Sequence, residues 1–106
     1  MKRQLVVLAA AALATSGAAL DNKAAEEMMK KDGCAACHSV DKQVVGPAFK
    51  EVAAKYKGDA KAAAMLEEKV KKGGNGVWGE TPMPPNSYVS DADIKELVGW
   101  ILTLQK

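Results

Sequence analysis

The chain has 106 residues, 48% hydrophobic and 26% charged, with two cysteines, one histidine and a formal net charge of +2. That length allows one small domain, and the near balance of charge excludes the strongly basic face that nucleic-acid binding needs. A domain this small has a limited apolar core, so it commonly relies on a staple such as disulfides, a metal or a bound group.

Lys2 and Arg3 precede an unbroken apolar run of ten residues, Leu5 to Ala14, and then a small, weakly polar stretch to Ala19. This is the pattern of a secretory signal peptide, since the run is too short to span a bilayer comfortably. The small-x-small sequence Gly17-Ala18-Ala19 places the expected cut after Ala19, giving a leader over 1–19 and a domain over 20–106. No cysteine sits near that cut to carry a lipid, so no stable membrane insertion is expected afterwards. The leader holds two bases and no acid, so the mature chain of 87 residues would carry 13 basic and 13 acidic side chains and no net charge.

The first predicted helix runs through Ala25, Met28 and Met29, with Asn22 as its expected cap, Lys30 and Lys31 at its C-terminal end and Asp32-Gly33 closing it. Cys34-Ala35-Ala36-Cys37-His38 follows at once and holds both cysteines and the only histidine. C-x-x-C-H reads as a c-type haem attachment site, because each thiol can add across a haem vinyl group while the adjacent imidazole meets the iron. Three other chemistries fit less of the chain. A thioredoxin-like dithiol wants a strand before the motif and a βαβ pattern around it; a structural zinc site wants a second Cys or His pair; a local disulfide gives His38 no purpose.

Ser39 to Gly46 reads as loop, turning at Gly46-Pro47. Pro47 suits an ordinary turn, and its carbonyl is also placed to accept the Nδ1 proton of His38, which would leave Nε2 for iron. Ala48, Phe49, Val52, Ala53 and Tyr56 then share one helical face, ended by Gly58. With Asp59 as the expected cap, Ala62, Met65, Leu66 and Val70 repeat the pattern up to Gly73-Gly74. Both helices read as core walls.

From Gly73 to Tyr88 the chain is rich in glycine and proline and holds Trp78 and Met83. Pro82-Met83-Pro84-Pro85 restricts the backbone on both sides of one thioether, which a flexible spacer has no use for. Met28, Met29 and Met65 read as core filler, whereas Met83 lies outside any helical pattern and suits the open face of a haem held by one histidine. Ser90 and Asp93 then open a helix whose Ile94, Leu97, Val98, Ile101 and Leu102 form the most regular apolar stripe in the chain. Gly99 within it costs about 1 kcal/mol relative to alanine, which predicts close contact with another helix, near Gly33. Trp100 reads as packing.

Together, C-x-x-C-H near the mature N-terminus, Gly46-Pro47-Ala48, Gly76-Val77-Trp78-Gly79 and Pro82-Met83-Pro84-Pro85-Asn86 resemble a small bacterial monohaem class I cytochrome c of the c-551/c-552 type. The likeness covers essentially the whole mature chain. It implies an all-α, compact cytochrome c fold of about four helices wrapped around one covalently attached haem c. It further implies thioether bonds at Cys34 and Cys37, His38 and Met83 as axial iron ligands, and Pro47 behind the histidine. Trp78 would donate to a haem propionate, Lys69 would stand beside one, and Asn86 would hydrogen-bond near the Met83 sulfur. Tyr88 and Val89 are given no role by the resemblance.

With both axial positions filled, the expected function is one-electron transfer and not catalysis. A soft thioether favours ferrous iron and raises its potential relative to two nitrogen ligands. The expected protein is a periplasmic monomer that docks briefly with redox proteins: a donor such as a membrane cytochrome complex, and an acceptor such as an oxidase, nitrite reductase or peroxidase. The many lysines read first as solvated helix surface and second as a positive rim steering an acidic partner. The competing reading is a haem peroxidase or gas-binding protein in which Met83 leaves the iron easily.

Overall fold

The computed structural model describes residues 20–104, and the expected leader with its cut after Ala19 lies outside them. Four helices follow in order: α1 (Asn22–Lys31), α2 (Phe49–Lys55), α3 (Ala62–Lys72) and α4 (Asp91–Leu102). One short 3-10 turn, Cys34–Ala36, follows α1, and the described residues contain no sheet. None of the described helices is long and apolar enough to cross a membrane.

α4 is the element against which the others pack, touching α1, α2 and α3. Its spacing explains this: Ile94, Leu97, Val98, Trp100 and Ile101 are all buried and form one broad apolar side of the helix. Ser90 caps it, its Oγ accepting from the Asp93 N–H at 3.1 Å. Trp100 is 2% exposed, stands edge-on to Phe49 at 6.3 Å, and donates its indole N–H to Asn22 Oδ1 at 3.0 Å. Ala25, Met29, Phe49, Val52, Leu97, Trp100 and Ile101 form one buried cluster, and Val89, Ile94 and Val98 a second.

Four expectations change in detail. The cap of α1 is Asp21, whose carboxylate accepts from Ala24 N–H at 2.8 Å. Asn22 is the first helical residue and serves Trp100 instead, because a buried indole N–H needs an acceptor. Asp59 accepts from Lys61 N–H at 2.9 Å, shaping the turn before α3, while Lys61 occupies the cap position without a side-chain bond. Met65 is an exposed residue of α3, so the core side of that helix is carried by Ala62, Leu66 and Val70. Finally, Gly99 faces solvent, and a Cβ built there meets nothing within 4 Å. It lies opposite the buried side of α4, and no contact in the structure explains this glycine.

Candidate cofactor site

A cavity of about 270 Å³ opens between the 3-10 turn, α3, α4 and the Met83 segment. Val52, Leu66, Val70, Ile94, Leu97, Val98 and Ile101 line it, so several core side chains present their inner surface to this space. Cys34, Cys37, His38 and Met83 stand on the same lining. The structure thus brings together two thiols, an imidazole and a thioether that are spread over 50 positions of chain.

The first wall is built locally. Gly33 ends α1 with φ +87°, a left-handed conformation that glycine adopts without steric cost. The chain then turns tightly, with Cys37 N–H and His38 N–H both donating to the Cys34 carbonyl at 3.1 and 3.0 Å. Val45 and Gly46 N–H groups close onto the Cys37 carbonyl at 3.1 and 2.8 Å, folding the loop back over the histidine. His38 Nδ1–H donates to the Pro47 carbonyl at 2.8 Å, which fixes the tautomer and leaves the Nε2 lone pair available. Burial pushes the imidazole below its ordinary pKa, against the smaller opposing effect of the Pro47 carbonyl, so the ring stays neutral and able to ligate.

Two further residues hold that ring. Phe49 stacks on it at 4.7 Å between centroids, inclined by 21°. Gly46 passes so close that a Cβ there would lie 2.6 Å from the imidazole Cε1. Neither contact is visible in sequence: Phe49 looked like core wall alone, and Gly46 like half of a turn.

The second wall is the Met83 segment. Met83 and Gly74 exchange backbone bonds, Met83 N–H to Gly74 carbonyl at 2.7 Å and the reverse at 3.0 Å. Gly73, at φ +79°, lies against this segment so closely that a Cβ would fall 2.5 Å from the Met83 carbonyl oxygen. Asn86 fastens the far end: its backbone N–H and its Nδ2 both reach the Val70 carbonyl at 3.1 Å, and Nδ2 also reaches the Pro84 carbonyl at 3.2 Å. The side-chain amide thus fastens the segment to the Val70 and Pro84 carbonyls.

Trp78 and Lys69 also line the cavity. Trp78 is 43% exposed, with the Lys55 ammonium 5.7 Å from its ring and 5.7 Å from that of Tyr56. The Lys69 side chain lies over Gly74, where a Cβ would approach its ammonium to 3.1 Å.

Cys34 and Cys37 form no disulfide with each other. Burial, helped by the nearby Asp32 carboxylate, pushes the Cys34 thiol up. A nucleophilic dithiol requires the opposite shift, so the environment disfavours thiol redox catalysis. An apolar, half-open cavity carrying two thiols, a neutral imidazole and a thioether suits a covalently attached haem.

The residues present fit that group, and the fold and site together define a small all-α haem-carrying protein. The sequence profile of the family described as cytochrome c matches residues 22–105. Cytochrome c-552 of Nitrosomonas europaea is 52% identical over 101 residues, covering 95% of either chain. Cytochrome c-551 of Allochromatium vinosum is 58% identical over 77 residues, covering 73% of this chain and 82% of that one. The crystal structure of wild-type Nitrosomonas europaea cytochrome c552 superposes with a TM-score of 0.73 at 55% identity, covering 76% of this chain and 99% of that one. The chain belongs to the cytochrome c family. It is a small class I cytochrome c, an electron carrier with one covalently bound haem c, in the compact fold of that family.

Proposed function

We propose that this protein is a periplasmic one-electron carrier in which Cys34 and Cys37 form the haem thioethers and His38 and Met83 fill both axial positions. The observation that carries the reading is the placement of a neutral His38, with Nδ1 occupied by Pro47, and of Met83 on the lining of one cavity. When bound, haem c supplies one reversibly held electron. Pro47 and Phe49 hold the imidazole plane, and the bond pair to Gly74 holds Met83 in its segment. Ligands fixed in this way need little rearrangement when the charge changes. Trp78 and Lys69, both on the cavity lining, would offer the propionates a donor and a positive charge, and Asn86 steadies the Met83 segment through its backbone partners.

The apolar lining disfavours the extra positive charge of the oxidised state, and the soft thioether acts in the same direction. Neither substrate nor oxygen could reach the iron without displacing Met83, so the protein is read as a carrier and not an enzyme. Its partners would be redox proteins on the exported side of the membrane: a donor such as a membrane cytochrome complex, and an acceptor such as an oxidase, nitrite reductase or peroxidase. They would dock briefly over the mouth of the cavity, where Val45, Val77 and Trp78 are exposed and Lys55 and Lys69 supply positive charge. The leader over 1–19 would deliver the chain there, and the mature protein would act as a monomer.

Carbon monoxide tests the closed coordination. The reduced wild type is expected to bind it poorly and Met83→Ala readily. A wild type that binds it as fast as the variant would favour the peroxidase or gas-binding reading.

A further inference from the structure

Tyr88 sits on the cavity lining, yet 71% of its surface is exposed. Its ring therefore buries too little area for packing to explain its place. Its hydroxyl, by contrast, is held at a junction. The single hydroxyl proton faces two acceptors, the backbone carbonyl of Asp32 at 3.1 Å and Asn86 Oδ1 at 3.3 Å. Asn86 can offer that oxygen because its Nδ2 is turned to the Val70 and Pro84 carbonyls. Asp32 closes α1 two residues before Cys34, while Asn86 follows Met83 by three. The hydroxyl thus joins the wall that bears the attachment cysteine to the segment that bears the thioether. Gly33 makes room for it: a Cβ there would lie 2.9 Å from the Tyr88 oxygen.

From this we infer that Tyr88 is a positioning residue, a latch that keeps the Met83 segment against the Cys34 wall and slows departure of Met83 from the iron. The inference rests on Met83 being the axial ligand. Bonds to Gly74 and Val70 tie the segment to α3 and its exit, but the cavity lies between that side and α1. A hydrogen bond across the opening acts directly on the distance between the two walls. Tyr88 would thus set how rarely the iron face opens to an outside ligand.

The test is stopped-flow binding of imidazole to the ferric holoprotein at saturating imidazole, where the rate reports release of the native ligand. Tyr88→Phe removes the hydroxyl and keeps the ring. The expected result is release about five-fold faster, the equivalent of about 1 kcal/mol for one neutral hydrogen bond. Lys31→Ala serves as the comparison, because it breaks the Lys31–Asp93 ion pair between α1 and α4 without touching the Met83 segment. Its release rate is expected to match the wild type. If Tyr88→Phe releases at the wild-type rate while the wild type shows the absorption band of a sulfur–iron bond, the latch is overturned and the ligation stands. Equal acceleration in both variants would also overturn it, as general loosening. A wild type without that band would overturn the ligation and the latch together.

Discussion

Among the described residues Asp32 is the buried charged side chain, 7% exposed, with Oδ2 lacking a hydrogen-bond partner. Burial raises its pKa, and the neighbouring Asp93 carboxylate adds to the effect, while Lys31 opposes it. Asp93 is shifted the other way, chiefly by its bond to Lys31. Asp32 also stands at the C-terminal end of α1, where a negative charge opposes the helix dipole. A folded-state pKa above the ordinary 3.8 means that ionised Asp32 penalises the folded state at all higher pH. Asp32→Asn is therefore expected to melt at a higher temperature than the wild type at pH 7. The gain should vanish below pH 3.8, where the carboxyl is protonated in both folded and unfolded chains. Thermal melts at the two pH values check this, and a lower melting temperature at pH 7 would contradict it. At this scale the sequence was informative wherever chemistry is contiguous. Cys34, Cys37 and His38 are legible because five adjacent positions carry the whole donor pattern. Phe49, Gly46 and Tyr88 were not, because their roles exist only once the loop closes over His38 and the Met83 segment meets α1.

Among the elements, α4 was the most legible, since its apolar stripe has one spacing only a helix satisfies. The start of α1 was misplaced by one residue because Asp21 and Asn22 are both good caps, and the choice is made by Trp100, 78 positions away. Gly99 shows the opposite limit. A glycine in a helix signals either a close approach or simply a weak position, and sequence alone does not separate the two. Its open surroundings predict that Gly99→Ala stabilises the protein by about 0.5–1 kcal/mol, through lower backbone entropy in the unfolded chain. Denaturant titration should show a higher midpoint at unchanged slope. A lower midpoint would mean that the helix needs this glycine for a contact. The Met83 segment was legible as ordered because three prolines restrict it, but what anchors it was not. The anchors are backbone groups of Gly74 and Val70, together with the space at Gly73, and backbone carries no residue signature.

At the scale of the whole molecule, four short helices of 7 to 12 residues surround a cavity that their own core side chains line. Helices of that length are marginal alone, so their stability comes from packing. Val52, Ile94, Leu97, Val98 and Ile101 face both the core and the cavity, and a haem bonded at Cys34 and Cys37 would complete the apolar interior they leave. The same arrangement sets His38 on one wall and Met83, 45 positions later in sequence, on the other. That pairing is the centre of the account, and the absorption spectrum of the exported protein tests it most directly. With His38 and Met83 both on iron, the oxidised protein should show the weak absorption band of a sulfur–iron bond, and the dithionite-reduced protein a sharp alpha band. A reduced alpha band without the sulfur–iron band in the oxidised protein would contradict Met83 as a ligand and turn the protein towards ligand-binding or peroxidase chemistry.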